Sequence, residues 1–183
     1  VHKKFFFFDI LKMINGPVSI TKDWRTILNR VAILVGQSQN SDDIPNSFLL
    51  NIIALEMLLT TKNERTKNKL VERLEYLMGW NDDWYNEGYN ERIIDTYNKR
   101  SDYVHTGKTK NIKAEDLIFT DELLLNALTI ISKHKDKIKD KQDIIDYSEK
   151  HKARKTLNYK AKHELSLTKY YVIPYTKSDY EKI

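Results

Sequence analysis

Apolar residues return along this chain at the three-to-four-residue spacing of amphipathic helices, in segments separated by polar or glycine-containing breaks. Ile27, Leu28, Val31, Leu34 and Val35 set a first stripe over Trp24–Val35, with Asp23 placed to cap its start and Gly36 to end it. From Phe48 to Leu59 only Asn51 and Glu56 are polar. A helix apolar nearly all round is buried on most sides, so this second helix is expected at the centre. Asp42-Asp43-Ile44-Pro45 leads into it, with acid and proline where a helix start favours them. Leu70, Val71, Leu74, Leu77 and Met78 define a third helix that Gly79 stops, and a turn-rich, aromatic connection follows over Trp80–Tyr89. A fourth helix runs from about Asn90 to His105. After a basic loop holding Lys108, Lys110 and Lys113, a fifth begins near Thr120 with Leu124, Ala127, Leu128 and Ile131 as its buried stripe.

The flanks differ from this body. Val1–Ile14 is an apolar lead-in that ends at the turn signal Asn15-Gly16-Pro17, and its Phe5–Phe8 cluster calls for a surface to cover, either the helical body or an upstream domain. The opening residue, Val1, leads us to expect a longer protein with that domain upstream. Asp136–Leu157 is charged, with Ile138, Ile144, Ile145 and Tyr147 as its apolar positions, and reads as a partly exposed helix. Leu165–Tyr175 reads as one short extended segment. The expected fold is therefore all-α: a bundle of about five helices over residues 21–135, a lead-in over 1–20, and a basic C-terminal extension over 136–183.

Composition narrows the function classes. Apolar content of 40% with 5 Gly and 3 Pro suits a helical globular protein, and zero cysteines exclude a disulfide framework and any thiolate metal site. A reducing, cytoplasmic location is the simplest expectation from that. No run approaches the roughly 18–20 apolar residues that span a bilayer, so no membrane partner is expected. Lys3-Lys4 before the phenylalanines imitates a signal peptide, but Asp9 and Lys12 interrupt the apolar region and no small-residue cleavage site follows. The net charge of +5 is unevenly placed. Residues 1–132 hold 17 Lys+Arg against 18 Asp+Glu, whereas Lys133–Glu164 holds 11 against 6. Such a basic segment permits nucleic acid as a partner through counterion release, and equally describes a solvated, lysine-rich helix. His134, His151 and His163 lack ligand partners at i+3 or i+4, so no metal site is assigned, and no phosphate-binding glycine loop or nucleophile elbow is present.

Two polar residues break the apolar pattern. At about 100° per residue, Ile93, Tyr97, Arg100 and Val104 fall within about 60° of one another, and Ile94, Ser101 and His105 form a stripe beside them. Arg100 thus stands where a packed apolar residue is expected; a solvated arginine would lie near Asp95, Lys99 or Asp102. His105 is about 140° round the helix from Arg100, so the two must bend toward each other to share a ligand. Two readings of this spacing stand. Either the pair forms a site, or Arg100 meets a buried carboxylate while His105 caps the helix before Gly107. Glu56 is the second anomaly, because an unpaired buried carboxylate is costly. It pairs with Arg100 or orients His105 in one reading, and reaches the rim to a lysine such as Lys62 in the other.

The run Y-N-K-R-S-D-Y-V-H-T-G at Tyr97–Gly107, with S-F-L-L-N-I-I-A-L-E-M-L-L at Ser47–Leu59, resembles the HEPN superfamily, most closely its Apea-like branch. The family signature is Arg, four to six residues, then His, usually with a polar residue directly after the arginine. Here that is Arg100, Ser101, Asp102-Tyr103-Val104 and His105, and the resemblance covers roughly residues 21–134. It implies a metal-independent endoribonuclease without a cofactor, in which the ribose 2′-OH attacks the adjacent phosphate to leave a 2′,3′-cyclic phosphate and a 5′-OH. Arg100 and His105 would then be the catalytic pair, with Ser101 and Asp102 beside them and Glu56 in support. Lys99, Lys108 and Lys110 would contact RNA, tRNA being one candidate. The motif supplies one histidine where in-line cleavage uses a base and an acid, so the resemblance also implies a homodimer with Tyr97 and Val104 in its interface. A toxin or antiviral-defence role is implied by the family alone. Two alternatives accompany this reading: a non-catalytic HEPN module for dimerisation or nucleic-acid binding, and a toxin neutralised by nucleotidylation. The second departs from this chain, which has Gly107 where that group carries a tyrosine.

Overall fold

The computed structural model describes residues 7–17, 19–78 and 88–157. Among these it is all-helical, with seven helices: α1 Phe7–Asn15, α2 Lys22–Gln39, α3 Ile44–Leu59, α4 Thr66–Met78, α5 Tyr89–Thr106, α6 Ala114–Lys133 and α7 Lys141–Thr156. The aromatic connection after Gly79, the extended segment expected at Leu165–Tyr175 and His163 lie outside the described residues. No helix among those described is long and apolar enough to cross a membrane.

The apolar surround of α3 places it at the centre, where it packs on α2, α4, α5, α6 and α7. Leu55, Leu58 and Leu59 join Trp24, Leu28 and Val31 of α2, Leu74 and Leu77 of α4, and Leu123, Leu124 and Ala127 of α6 in one core. A smaller cluster of Phe48, Ile52 and Ile112, with Ile44 and Tyr103 against it, holds the C-terminal end of α5 onto α3. That second anchorage positions the candidate site.

Several boundaries differ from the expectation, each for a local reason. The Trp24 N–H donates to Thr21 Oγ1 at 3.2 Å, so Thr21 rather than Asp23 caps α2. Gly36 does not end α2. The helix runs on to Gln39 because Ser38 and Ser47 exchange hydrogen bonds, each hydroxyl donating to the other's carbonyl, and Gln39 donates to Asp121. The α6 helix starts at Ala114, not near Thr120, since the Lys113 N–H donates to Asp116 Oδ2 at 2.9 Å and Ile118 and Phe119 extend the buried stripe.

The flanks also fold onto the body. Ile10, Met13 and Ile14 of α1 are buried against α2 and α6, while Arg25 donates to the carbonyls of Ile14 and Gly16 at the helix end. Phe8 stays 56% exposed. The charged segment read as a partly exposed helix is more enclosed than its composition suggested: Ile138, Ile144, Ile145, Tyr147, Ser148 and His151 are buried as α7 packs on α4 and α3. Asp140 and Asp143 cap its start reciprocally, each carboxylate accepting from the other's backbone N–H.

Candidate functional site

Helix α5 carries the site, and both of its ends are set by glycine. Gly88 and Gly107 adopt left-handed backbone, φ 64° and φ 68°, which glycine takes without a Cβ penalty. The Gly107 N–H donates to the Tyr103 carbonyl at 2.9 Å and closes the helix directly after His105 and Thr106. Tyr89, Ile93 and Thr96 bury the first half of α5, and Tyr103 packs in the smaller cluster. Arg100 lies between these anchorages, on the side that faces α3.

There Arg100 meets Glu56. Arg100 Nη2 donates to Glu56 Oε2 at 3.2 Å, with the two side chains 22% and 16% exposed. The guanidinium carbon also stands 5.7 Å from the Tyr97 ring centroid, within cation–π range. Burial pushes the Glu56 carboxyl above the usual carboxylate range, and the charge and hydrogen bond of Arg100 offset only part of this. Glu56 Oε1 and Arg100 Nε are both buried without a hydrogen-bond partner among the described residues.

His105 and Asp102 are exposed and Ser101 is half-buried. No hydrogen bond or ion pair joins His105 to Arg100, so the structure brings Arg100 to Glu56 and leaves the imidazole on the adjoining, solvent-facing stripe. Val104 is 49% exposed and Ile94 39%, and both flank Ser101 and the half-buried Tyr97 on the same part of α5. This face combines apolar contact area with the uncommitted histidine.

The lysines divide. Lys108 and Lys110 are exposed on the loop between α5 and α6. Lys99 is held between Asp116 at 2.7 Å and Asp95 at 2.8 Å. Burial lowers the Lys99 pKa, but its hydrogen bonds to Asp116 and Asp95 outweigh that and leave it raised. A phosphate at Lys99 would have to displace a carboxylate. Asp95 stands four residues before Lys99, the spacing of a helix-face ion pair, whereas no local signal announces Asp116.

Two polar groupings were not anticipated from sequence. Asn51 is buried on α3 and donates to Asp121 Oδ1 at 2.8 Å and Thr120 Oγ1 at 3.2 Å, tying α3 to α6. Arg73 is buried on α4 and bound to Glu64. Among the described residues no cluster of three or more His, Asp or Glu side chains is arranged to hold a metal ion. No protein-family model, curated protein or solved structure matches the chain.

Proposed function

We propose that this chain is a metal-independent endoribonuclease of the HEPN type, acting as a homodimer on cytoplasmic RNA, tRNA among the candidates, in a toxin or defence setting. The observation that carries the reading is the placement of Arg100. It is half-buried in the second half of α5, tethered to α3 through Glu56, and about one and a half turns before an exposed, uncommitted His105.

That arrangement suits phosphoryl transfer. A guanidinium stays charged at any physiological pH and meets phosphate oxygens through a planar fork, so Arg100 would face the charge that develops on the phosphorane. An imidazole can both accept and donate a proton, so His105 would take the 2′-OH proton or deliver one to the departing 5′ oxygen. Ser101 and Asp102 are the neighbours able to orient the ring or contact ribose. One histidine cannot be base and acid in the same step. Two copies apposed through Tyr97 and Val104 would supply both across one cleft.

The test is cleavage of a tRNA-rich RNA pool in EDTA by the wild type and His105→Ala, with mapping of the ends. Products with 5′-OH ends from the wild type alone are expected. The engagement of Arg100 by Glu56 favours one other reading, a non-catalytic module in which the pair is a structural tie. Equal RNA affinity in both proteins, with cleavage by neither, would establish that reading.

A further inference from the structure

The Arg100–Glu56 contact is half made. The Nε–Nη2 edge of a guanidinium can meet both oxygens of a carboxylate at once. Here Nη2 reaches Oε2 at 3.2 Å, while Nε and Oε1, the other two atoms of that fork, are buried without partners. The same protein shows what a completed pair looks like. Arg73 Nη1 and Nη2 donate to the two Glu64 oxygens at 2.8 Å each, Nη1 also donates to the Leu59 carbonyl, and Glu64 is held down to about 2. Glu56 is displaced in the opposite sense, because burial outweighs what Arg100 returns. The Glu64 charge is fully answered, and the Glu56 charge is not.

A structural clamp would be expected to close both bonds, since each unmet buried polar atom carries a desolvation cost. Arg100 has capacity to spare, and Nη1 is not among its enclosed atoms. An anion that reaches Arg100 therefore meets a cation already shared with a carboxylate.

We infer that Glu56 is a built-in competitor for anions at Arg100, so that its carboxylate weakens the site's hold on a phosphate-like dianion and neutralising it strengthens that hold. This rests on the reading that Arg100 meets the scissile phosphate. A dianion and a carboxylate on opposite sides of one guanidinium repel each other over about 6 Å, and in a water-like dielectric that repulsion corresponds to roughly tenfold in affinity. Glutamine in place of Glu56 retains an acceptor for Nη2 and removes the repulsion. Glu56 would then tune product release as well as substrate capture, because both carry phosphate.

The experiment is a sulfate titration of the full chain at constant ionic strength, followed by calorimetry, on the wild type, Glu56→Gln, Glu56→Met and Arg100→Met, each checked for folding by circular dichroism. Sulfate keeps its double charge over the working pH range, so the probe itself does not titrate. The expected order of affinity is Glu56→Gln above wild type, by roughly tenfold, and wild type above Arg100→Met. Glu56→Met repeats the gain without any hydrogen bond, and the gain must appear in whichever of the two neutral variants is folded. Equal or weaker sulfate binding in the folded neutral variant overturns the inference and makes Glu56 a positioning residue. Unchanged binding in Arg100→Met overturns it too, by placing the anion elsewhere. Sulfate binding is independent of cleavage, so a gain in a protein that cuts no RNA would leave this inference standing while removing the nuclease.

Discussion

Both terminal nitrogens of Arg73 reach the carboxylate of Glu64, at 2.8 Å each, from a side chain only 1% exposed. Because Nη1 also takes the Leu59 carbonyl, this one residue ties the C-terminus of α3, the loop after it and α4 together. The hydrogen bonds from Arg73 hold Glu64 at about 2, against burial. A carboxyl depressed in the folded state contributes stability that is present above its unfolded value, near 4.5, and is lost as pH falls toward about 2. Thermal melts of wild type and Glu64→Gln between pH 6 and 2 should therefore converge at the acid end. A difference that stays constant over that range would show that Glu64 does not titrate with folding.

Arg73→Met tests the other partner. Glu64 can resolvate, but the Leu59 carbonyl loses its buried donor, so destabilisation of about 1–3 kcal/mol is expected from urea midpoints. A loss under about 0.5 kcal/mol, typical of surface positions, would remove Arg73 from the fold's essential ties.

How far the fold could be read in advance depended on where the information sat. The central place of α3 was legible because nearly every position in it is apolar. Arg100 and Glu56 stood out by the same logic, as charges in an apolar stripe. Arg73 satisfies that criterion equally, lying between Leu70 and Leu77 on the buried side of α4. Its partner Glu64 is in a loop, where periodicity says nothing. The burial of α7 was hidden for a related reason. Its charged composition dilutes the stripe, and part of the buried face is Ser148 and His151 rather than aliphatic. Helix ends were set by contacts distant in sequence, such as Gln39 with Asp121, which local capping rules cannot supply.

Gly107 offers a local test of the helix end that carries His105. At φ 68° a Cβ is disfavoured by about 1–2 kcal/mol, although no atom lies close enough to clash with one. Gly107→Ala should thus lower stability by about that amount, and Gly107→Asn by less, since asparagine tolerates the left-handed region. Equal destabilisation by both would argue against the backbone strain as the cause.

His105 is exposed and makes no side-chain hydrogen bond among the described residues, so its removal separates activity from folding. His105→Ala should leave the urea midpoint unchanged, within about 0.5 kcal/mol, and reduce RNA cleavage by about a hundredfold or more. A rate unchanged in His105→Ala would take the histidine out of the reaction.

The apolar face beside that histidine should be needed for the composite site. Val104 is 49% exposed while Tyr97 about two turns earlier is half-buried, so a charge at position 104 disturbs a surface and not the core. Val104→Glu is expected to shift sedimentation from dimer to monomer at micromolar protein, keep its helical circular dichroism, and lose cleavage in parallel with the dimer. Tyr97 is less clean, because its ring lies within cation–π range of Arg100 and its loss would alter the guanidinium as well as the interface. Mixing Val104→Glu with His105→Ala gives no fully competent pair, so the mixture should stay inactive. If Val104→Glu is a monomer and still cleaves, the acid and base both come from one chain, and Glu56, whose carboxyl pKa is raised by burial beside Arg100, becomes the residue to examine as the second proton carrier.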